Sequence, residues 1–310
     1  MSNENSFESS ERRYTLAFFL TLIGAVMFSS KGLFIKFAYQ YQVDTVTLLV
    51  IRMGISVPIY MVIGLYSERF NKQRISRLQM LAIAAFGIVG YYFASYLDMQ
   101  GLQYISVSLE RVILYLYPTF VLLLSVIVLK QMITLKEVFA ILLAYSGIIL
   151  IFSETIDHQM NDTVFGAGLV ALSALAFAVF LIGSERHIKI VGSVRFTVYT
   201  MSAAGAAVFL HYALSDQRGL FEQHQQVYYW GAVLALISTI IPTFFMAYGM
   251  KVLGAKKVSL LGVIGPVSTM ILDVIFLGDR LSNVQIAGAI VVVMAVTFIV
   301  ISNKDDKDKQ

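Results

Sequence analysis

Seven charged side chains fall inside stretches of sequence that are otherwise apolar: Lys31, Lys36, Arg52, Asp98, Glu110, Arg111 and Asp273. Placing a charge at the centre of an apolar span costs roughly 2.5–3.5 kcal/mol on insertion scales, so such residues persist where they are paired, hydrated or used. Together they could hold a charged solute, latch two helices, or carry a proton on a carboxyl group. Tyr92 and Tyr96 share a helical face at i, i+4. With Tyr91, Tyr115 and Tyr117 they suit the wall of a cavity with polar corners, packing being the competing reading. Pro58, Pro118, Pro242 and Pro266 each remove a backbone donor within a span, which bends a helix or frees a carbonyl.

Other chemistry is poorly represented. There is no cysteine, which removes disulfides, thiolate metal sites and thiol nucleophiles. His158, His187, His211 and His224 are scattered, and neither HExxH nor GxSxG occurs. No metal, cofactor or catalytic residue is expected, and no Walker motif offers nucleotide drive.

The elements that must position these residues are membrane spans. Of the 310 residues, 58% are hydrophobic and 14% charged, with a mean hydropathy of +0.77, far too apolar for a single soluble core. A bilayer core of about 30 Å takes roughly 20 apolar residues per helix. Ten candidate spans follow: 15–37, 46–66, 78–97, 107–129, 135–152, 166–184, 196–214, 228–250, 258–277 and 284–301. All are expected to be α-helices, with no strands, because lipid offers no partner to unpaired backbone groups. The first 14 residues are polar and do not read as a secretory signal.

Lys and Arg in the short loops set an orientation. Seventeen of them fall on the side of both chain termini, and only Arg218 and Arg280 on the other. The expectation is a multi-pass cell-membrane protein with both termini cytoplasmic, in a bacterium the inner membrane. The basic balance is then a topology signal, and no nucleic-acid partner is implied; the bilayer and a small-molecule substrate are the expected partners.

The spans repeat. Pro118 and Pro266 are 148 residues apart, and at that offset Gly101 matches Gly249, Leu124 matches Leu272, and Val126 and Ile127 match Val274 and Ile275. Residues 15–152 and 166–301 read as two five-span halves, with tails 1–14 and 302–310 and an acidic linker 153–165. Halves with an odd number of spans enter the bilayer upside down relative to each other, an architecture of many secondary transporters. With a rise of about 1.5 Å per residue, Lys31 and Arg52 lie roughly 10 Å below the outer surface, with Glu110 and Arg111 about one turn inside. Asp98 and Asp273 end rising spans at the same level. Lys36, Asp98 and Arg111 could instead snorkel to headgroups. Lys31 and Glu110, of opposite charge and similar depth, are the strongest candidates for substrate binding or gating.

Several segments resemble one family: GAVMFSSKGLFIKFAY (24–39), VDTVTLLVIRM (43–53), GYYFASYLDMQGLQYISVSLERVILYLYPTFVLLLS (90–125) and LGDRLS (277–282). They are similar to the EamA family of the drug/metabolite transporter superfamily, over residues 15–301. The resemblance implies ten helices in two inverted five-helix repeats, alternating access, and transport of small metabolites, often as exporters. Family repeats usually carry Gly-Glu after the proline-containing span. Here the second half has Gly278-Asp279 and the first has Lys130-Gln131, so helix capping at that point is expected from Thr134 and Ser282 instead.

Four cations against three acids in the charged layer point to an amino acid or a related zwitterion or anion. Glu110 is the candidate site if transport is proton-coupled. An intramembrane enzyme and a non-transporting receptor or assembly subunit are the alternatives, and oligomeric state is not readable from the residues.

Overall fold

The computed structural model describes residues 2–70, 75–153, 163–215, 219–277 and 282–305, and among these every regular element is helical. In chain order they are α1 (Ser2–Ser29), α2 (Lys31–Tyr39), α3 (Thr45–Phe70), α4 (Arg77–Gly87), α5 (Ala94–Gly101), α6 (Val107–Leu114), α7 (Tyr117–Leu129) and α8 (Leu135–Phe152). The second half holds α9 (Thr163–Val191), α10 (Ser193–Leu214), α11 (Gln225–Ala235), α12 (Ile241–Leu253), α13 (Ala255–Leu261), α14 (Gly265–Leu277) and α15 (Asn283–Asp305). Two π-helical segments, Ile88–Phe93 and Leu236–Ile240, join α4 to α5 and α11 to α12, and a 3₁₀ turn, Gly262–Ile264, joins α13 to α14.

Taken through these junctions, eight helices among the described residues are long and apolar enough to cross a membrane. The expected spans 135–152 and 284–301 correspond to α8 and α15, which pack along each other. Their approach depends on Gly147 and Gly288, since a Cβ on either would lie 2.7 Å from the carbonyl oxygen of the other.

Element boundaries recur at the offset seen in the sequence. The starts of α3 and α10, α4 and α11, α6 and α13, and α8 and α15 are each 148 residues apart, as are the starts of the two π segments. The caps recur as well. Thr134 and Glu137 form a reciprocal capping box at α8, and Ser282 and Gln285 form its counterpart at α15. Both Thr134 and Ser282 therefore cap as expected; Gly278-Asp279 lies outside the described residues. The main helix pairs, α8 with α15, α1 with α12, α3 with α10, and α5 and α7 with α9, all join one half to the other.

At one end of the bundle, polar contacts tie these pairs together. Arg195 on α10 grips the Glu68 carboxylate of α3 through Nε at 2.6 Å and Nη2 at 3.0 Å. Gly254, at φ 84° where a side chain would be strained, turns the chain into α13, and Glu185 of α9 accepts the Ala255 N–H there at 2.9 Å. Lys256 reaches Glu137 at 2.8 Å.

Candidate functional site

The spans that bear the charged residues are not continuous helices. The first breaks between Ser29 and Lys31, and the Ser29 carbonyl accepts a hydrogen bond from Arg111 Nη2 at 2.8 Å. The fourth breaks at Tyr115 and Leu116, after which Tyr117 and Pro118 open α7. Pro242 and Pro266 likewise sit in the first turns of α12 and α14, just after the π segment and the 3₁₀ turn. These three prolines restart helices after an interruption, where a missing N–H costs nothing, so the discontinuity precedes each proline. Pro58 alone lies within a continuous helix, α3.

A central cavity of about 90 Å³ lies among these interruptions. It is lined by Gly90 and Tyr91 of one π segment, Ser238 and Thr239 of the other, Leu114 and Tyr115 at the break in the fourth span, and Gly262 of the 3₁₀ turn. Ala25, Ser29, Ser173 and Phe177 complete much of the wall. Five lining pairs are 148 residues apart: Ala25 with Ser173, Ser29 with Phe177, Gly90 with Ser238, Tyr91 with Thr239, and Leu114 with Gly262. Interrupted helices at a cavity leave backbone groups free for polar partners, which a continuous span does not. Thr239 illustrates this, its hydroxyl donating five residues back to the Leu234 carbonyl at 2.8 Å. Ser30 crosses between halves to Ser238 at 2.8 Å, and Ser29 meets the Tyr115 hydroxyl at 3.1 Å.

The charged residues divide into two shells. Lys31, Arg52 and Arg111 line the cavity, whereas Asp98 and Glu110 are fully buried behind it. Lys31 Nζ lies 2.6 Å from Asp98 Oδ2, and Arg111 Nε lies 3.3 Å from Glu110 Oε2. Thus Lys31 pairs with Asp98, not with the depth-matched Glu110.

Snorkelling fails for three residues. Asp98 is 0% and Arg111 1% exposed, while Lys36 donates to the Leu102 carbonyl at 2.7 Å and the Ile105 carbonyl at 3.2 Å, pinning the turn before α6. Tyr115 is in the cavity wall, but Tyr92 and Tyr96 are not. They pack on His211 of α10, with the Tyr92 hydroxyl 3.0 Å from His211 Nδ1. Tyr91 and Tyr117 take the wall positions instead. Asp273 belongs to α14, and its side chain lies outside the described set. Ser173, Ser238 and Thr239 escaped the sequence reading, although the repeat offset maps them onto Ala25, Gly90 and Tyr91.

The model of the EamA-like transporter family matches this chain twice, over residues 15–153 and 164–301. The chain belongs to the EamA-like transporter family. Its relatives include the uncharacterized transporter YcbK of Bacillus subtilis, 28% identical over 271 residues, covering 86% of this chain and 87% of that one. The uncharacterized transporter YyaM of the same organism is 25% identical, over 79% and 81% of the two chains. An uncharacterized transporter of Archaeoglobus fulgidus is 23% identical over 70% and 73%. A solved crystal structure superposes with a TM-score of 0.76 at 16% identity, covering 92% of this chain and 98% of the other, and so shares the fold. As a family member with several membrane-length apolar helices, this chain is a multi-pass membrane protein.

Proposed function

We propose that this chain is a secondary transporter that moves a small metabolite across the membrane by alternating access through the central cavity. Ten spans form two inverted five-helix repeats, residues 15–152 and 166–301, with both termini cytoplasmic and export as the direction implied by the family. The observation that carries this reading is the cavity itself, lined by repeat-matched residues at helix interruptions and by three basic side chains. Such a midplane site between matched segments can be exposed to either face by rocking one half against the other. The cations favour an amino acid or a related zwitterion or anion. Lys31, Arg52, Arg111, Tyr91 and Tyr115 contact it, Asp98 positions Lys31, and Glu110 holds the proton if transport is proton-coupled.

The decisive experiment is a substrate-library screen with the purified chain in proteoliposomes, run with and without a proton gradient. Flux of at least one small metabolite above empty liposomes is expected, and Glu110→Gln should make that flux insensitive to the gradient. The absence of flux for every amino acid and organic anion in the library would sink the transport reading. Pro118→Ala and Pro266→Ala should leave folding intact, because each sits in a first helical turn, and should shift labelling of single cysteines placed in the cavity towards one side of the membrane. Unchanged labelling in both would make the prolines packing residues. A cysteine at Ser76 should label from the cytoplasmic face and one at Gln103 from the opposite face.

A further inference from the structure

Among the described residues, the charges around the cavity do not cancel, and the surplus falls on one residue. Three cations line the space, and the two carboxylates of the cluster stand behind them. Lys31 is committed to Asp98 at 2.6 Å, and Arg111 to Glu110 at 3.3 Å and to the Ser29 carbonyl at 2.8 Å. Arg52 has no such commitment. It is 3% exposed, its Nε is buried without a hydrogen-bond partner, and its guanidinium makes no hydrogen bond or ion pair among the described residues. The groups near enough to act on its charge are both taken: the Tyr60 hydroxyl is engaged with Thr243 at 2.7 Å and the Asp98 carboxylate with Lys31. A buried guanidinium with idle donors at a cavity wall is costly in the apo state and is relieved by an anion that accepts from its planar fork.

The rest of the lining defines the body and the charge of that anion. Phe28, Phe177 and Met246 offer apolar and aromatic surface. No carboxylate is among the described lining residues, so an ammonium group on the ligand would enter a space already positive. On the reading that this cavity is the transport site, we infer that it takes a small carboxylate anion with an aromatic or apolar body and no ammonium group, its carboxylate held by Arg52.

Three compounds that share one ring and differ in charge test this: 3-phenylpropionate (anion), phenylalanine (zwitterion) and phenethylamine (cation). Equilibrium binding to the full chain purified in detergent, read by calorimetry, needs no transport. The expected order is 3-phenylpropionate tighter than phenylalanine by at least about tenfold, with no heat from phenethylamine. Arg52→Gln should weaken 3-phenylpropionate by at least about tenfold while its thermal midpoint stays level or rises, and Arg52→Lys should recover only part of the loss. Equal or tighter binding of phenylalanine or phenethylamine overturns the inference. So does a parent protein that binds no 3-phenylpropionate, or an Arg52→Gln variant with parental affinity. Should Arg52→Gln not fold, the order of the three compounds on the parent decides. A chain that binds the anion but gives no flux in liposomes defeats the transport reading alone, and one that transports but prefers the zwitterion defeats this inference alone.

Discussion

Where the first half carries Lys31, Arg52, Asp98, Glu110 and Arg111, the second half, 148 residues on, carries Val179, Thr200, Met246, Val258 and Ser259. The polar members of the second set are satisfied on their own helices. The Thr200 hydroxyl donates to the Phe196 carbonyl at 2.8 Å and the Ser259 hydroxyl to the Lys256 carbonyl at 2.8 Å. Lys31, Asp98 and Arg111 of the first set reach across helices, from α2 to α5 and from α6 to the break after α1. Helix starts, π segments and caps are duplicated, whereas ionic chemistry is not. The difference teaches that the backbone frame makes the cavity and that, among the described residues, one half supplies its charge.

Writing second-half residues into the first half tests that division. The largest effect is expected from Asp98→Met, the residue of its counterpart position, because it leaves Lys31 without its partner beside a buried cluster. A loss of about 3–5 kcal/mol is expected, read as a lower unfolding temperature in detergent. Adding Lys31→Val should restore most of the stability without restoring flux. If the double variant is as unstable as Asp98→Met alone, the pair is not the unit that matters.

A second test exploits an exchange of volume between the halves. The Tyr117 hydroxyl occupies the space above Gly262, where an added Cβ would meet it, and it donates to the Ser259 carbonyl at 3.1 Å. Gly262→Ala should cost about 1–3 kcal/mol by overpacking. Tyr117→Phe in the same chain should return most of it, despite the lost hydrogen bond. Equal stability of Gly262→Ala and parent would show that the 3₁₀ turn simply shifts. The smallest effect sharpens the shared frame: Thr134→Ala and Ser282→Ala remove matched caps and should each cost about 1 kcal/mol. A clear inequality would mean that the halves are not equivalent even in their backbone support.

Much of this frame was legible in the residues. Apolar lengths gave the helices, the Pro118 and Pro266 spacing gave the repeat, and Thr134 and Ser282 announced their caps. That Lys31 and Arg52 border one cavity agrees with their similar positions along their spans. Azimuth was not legible, because depth along a helix axis says nothing of which face turns inward. Hence Lys31 was matched to Glu110 instead of Asp98, and Tyr92 and Tyr96 were grouped with Tyr91 as wall residues although, of the three, Tyr91 faces the cavity. The π segments left no mark in composition either, since an i→i+5 turn is chosen by what packs around it, here Gly90 against Phe180 on α9. A repeat reading that carried Tyr91 forward by 148 would have reached Thr239.

The two π segments have a mechanical consequence. A π turn holds one residue more than an α turn, which widens the helix locally, and such turns are frequent at functional sites. Both start at the same point of their halves, Ile88 and Leu236. Each gives two residues to the cavity wall, Gly90 and Tyr91 from one and Ser238 and Thr239 from the other, so the widened turns sit where the two halves face the same space.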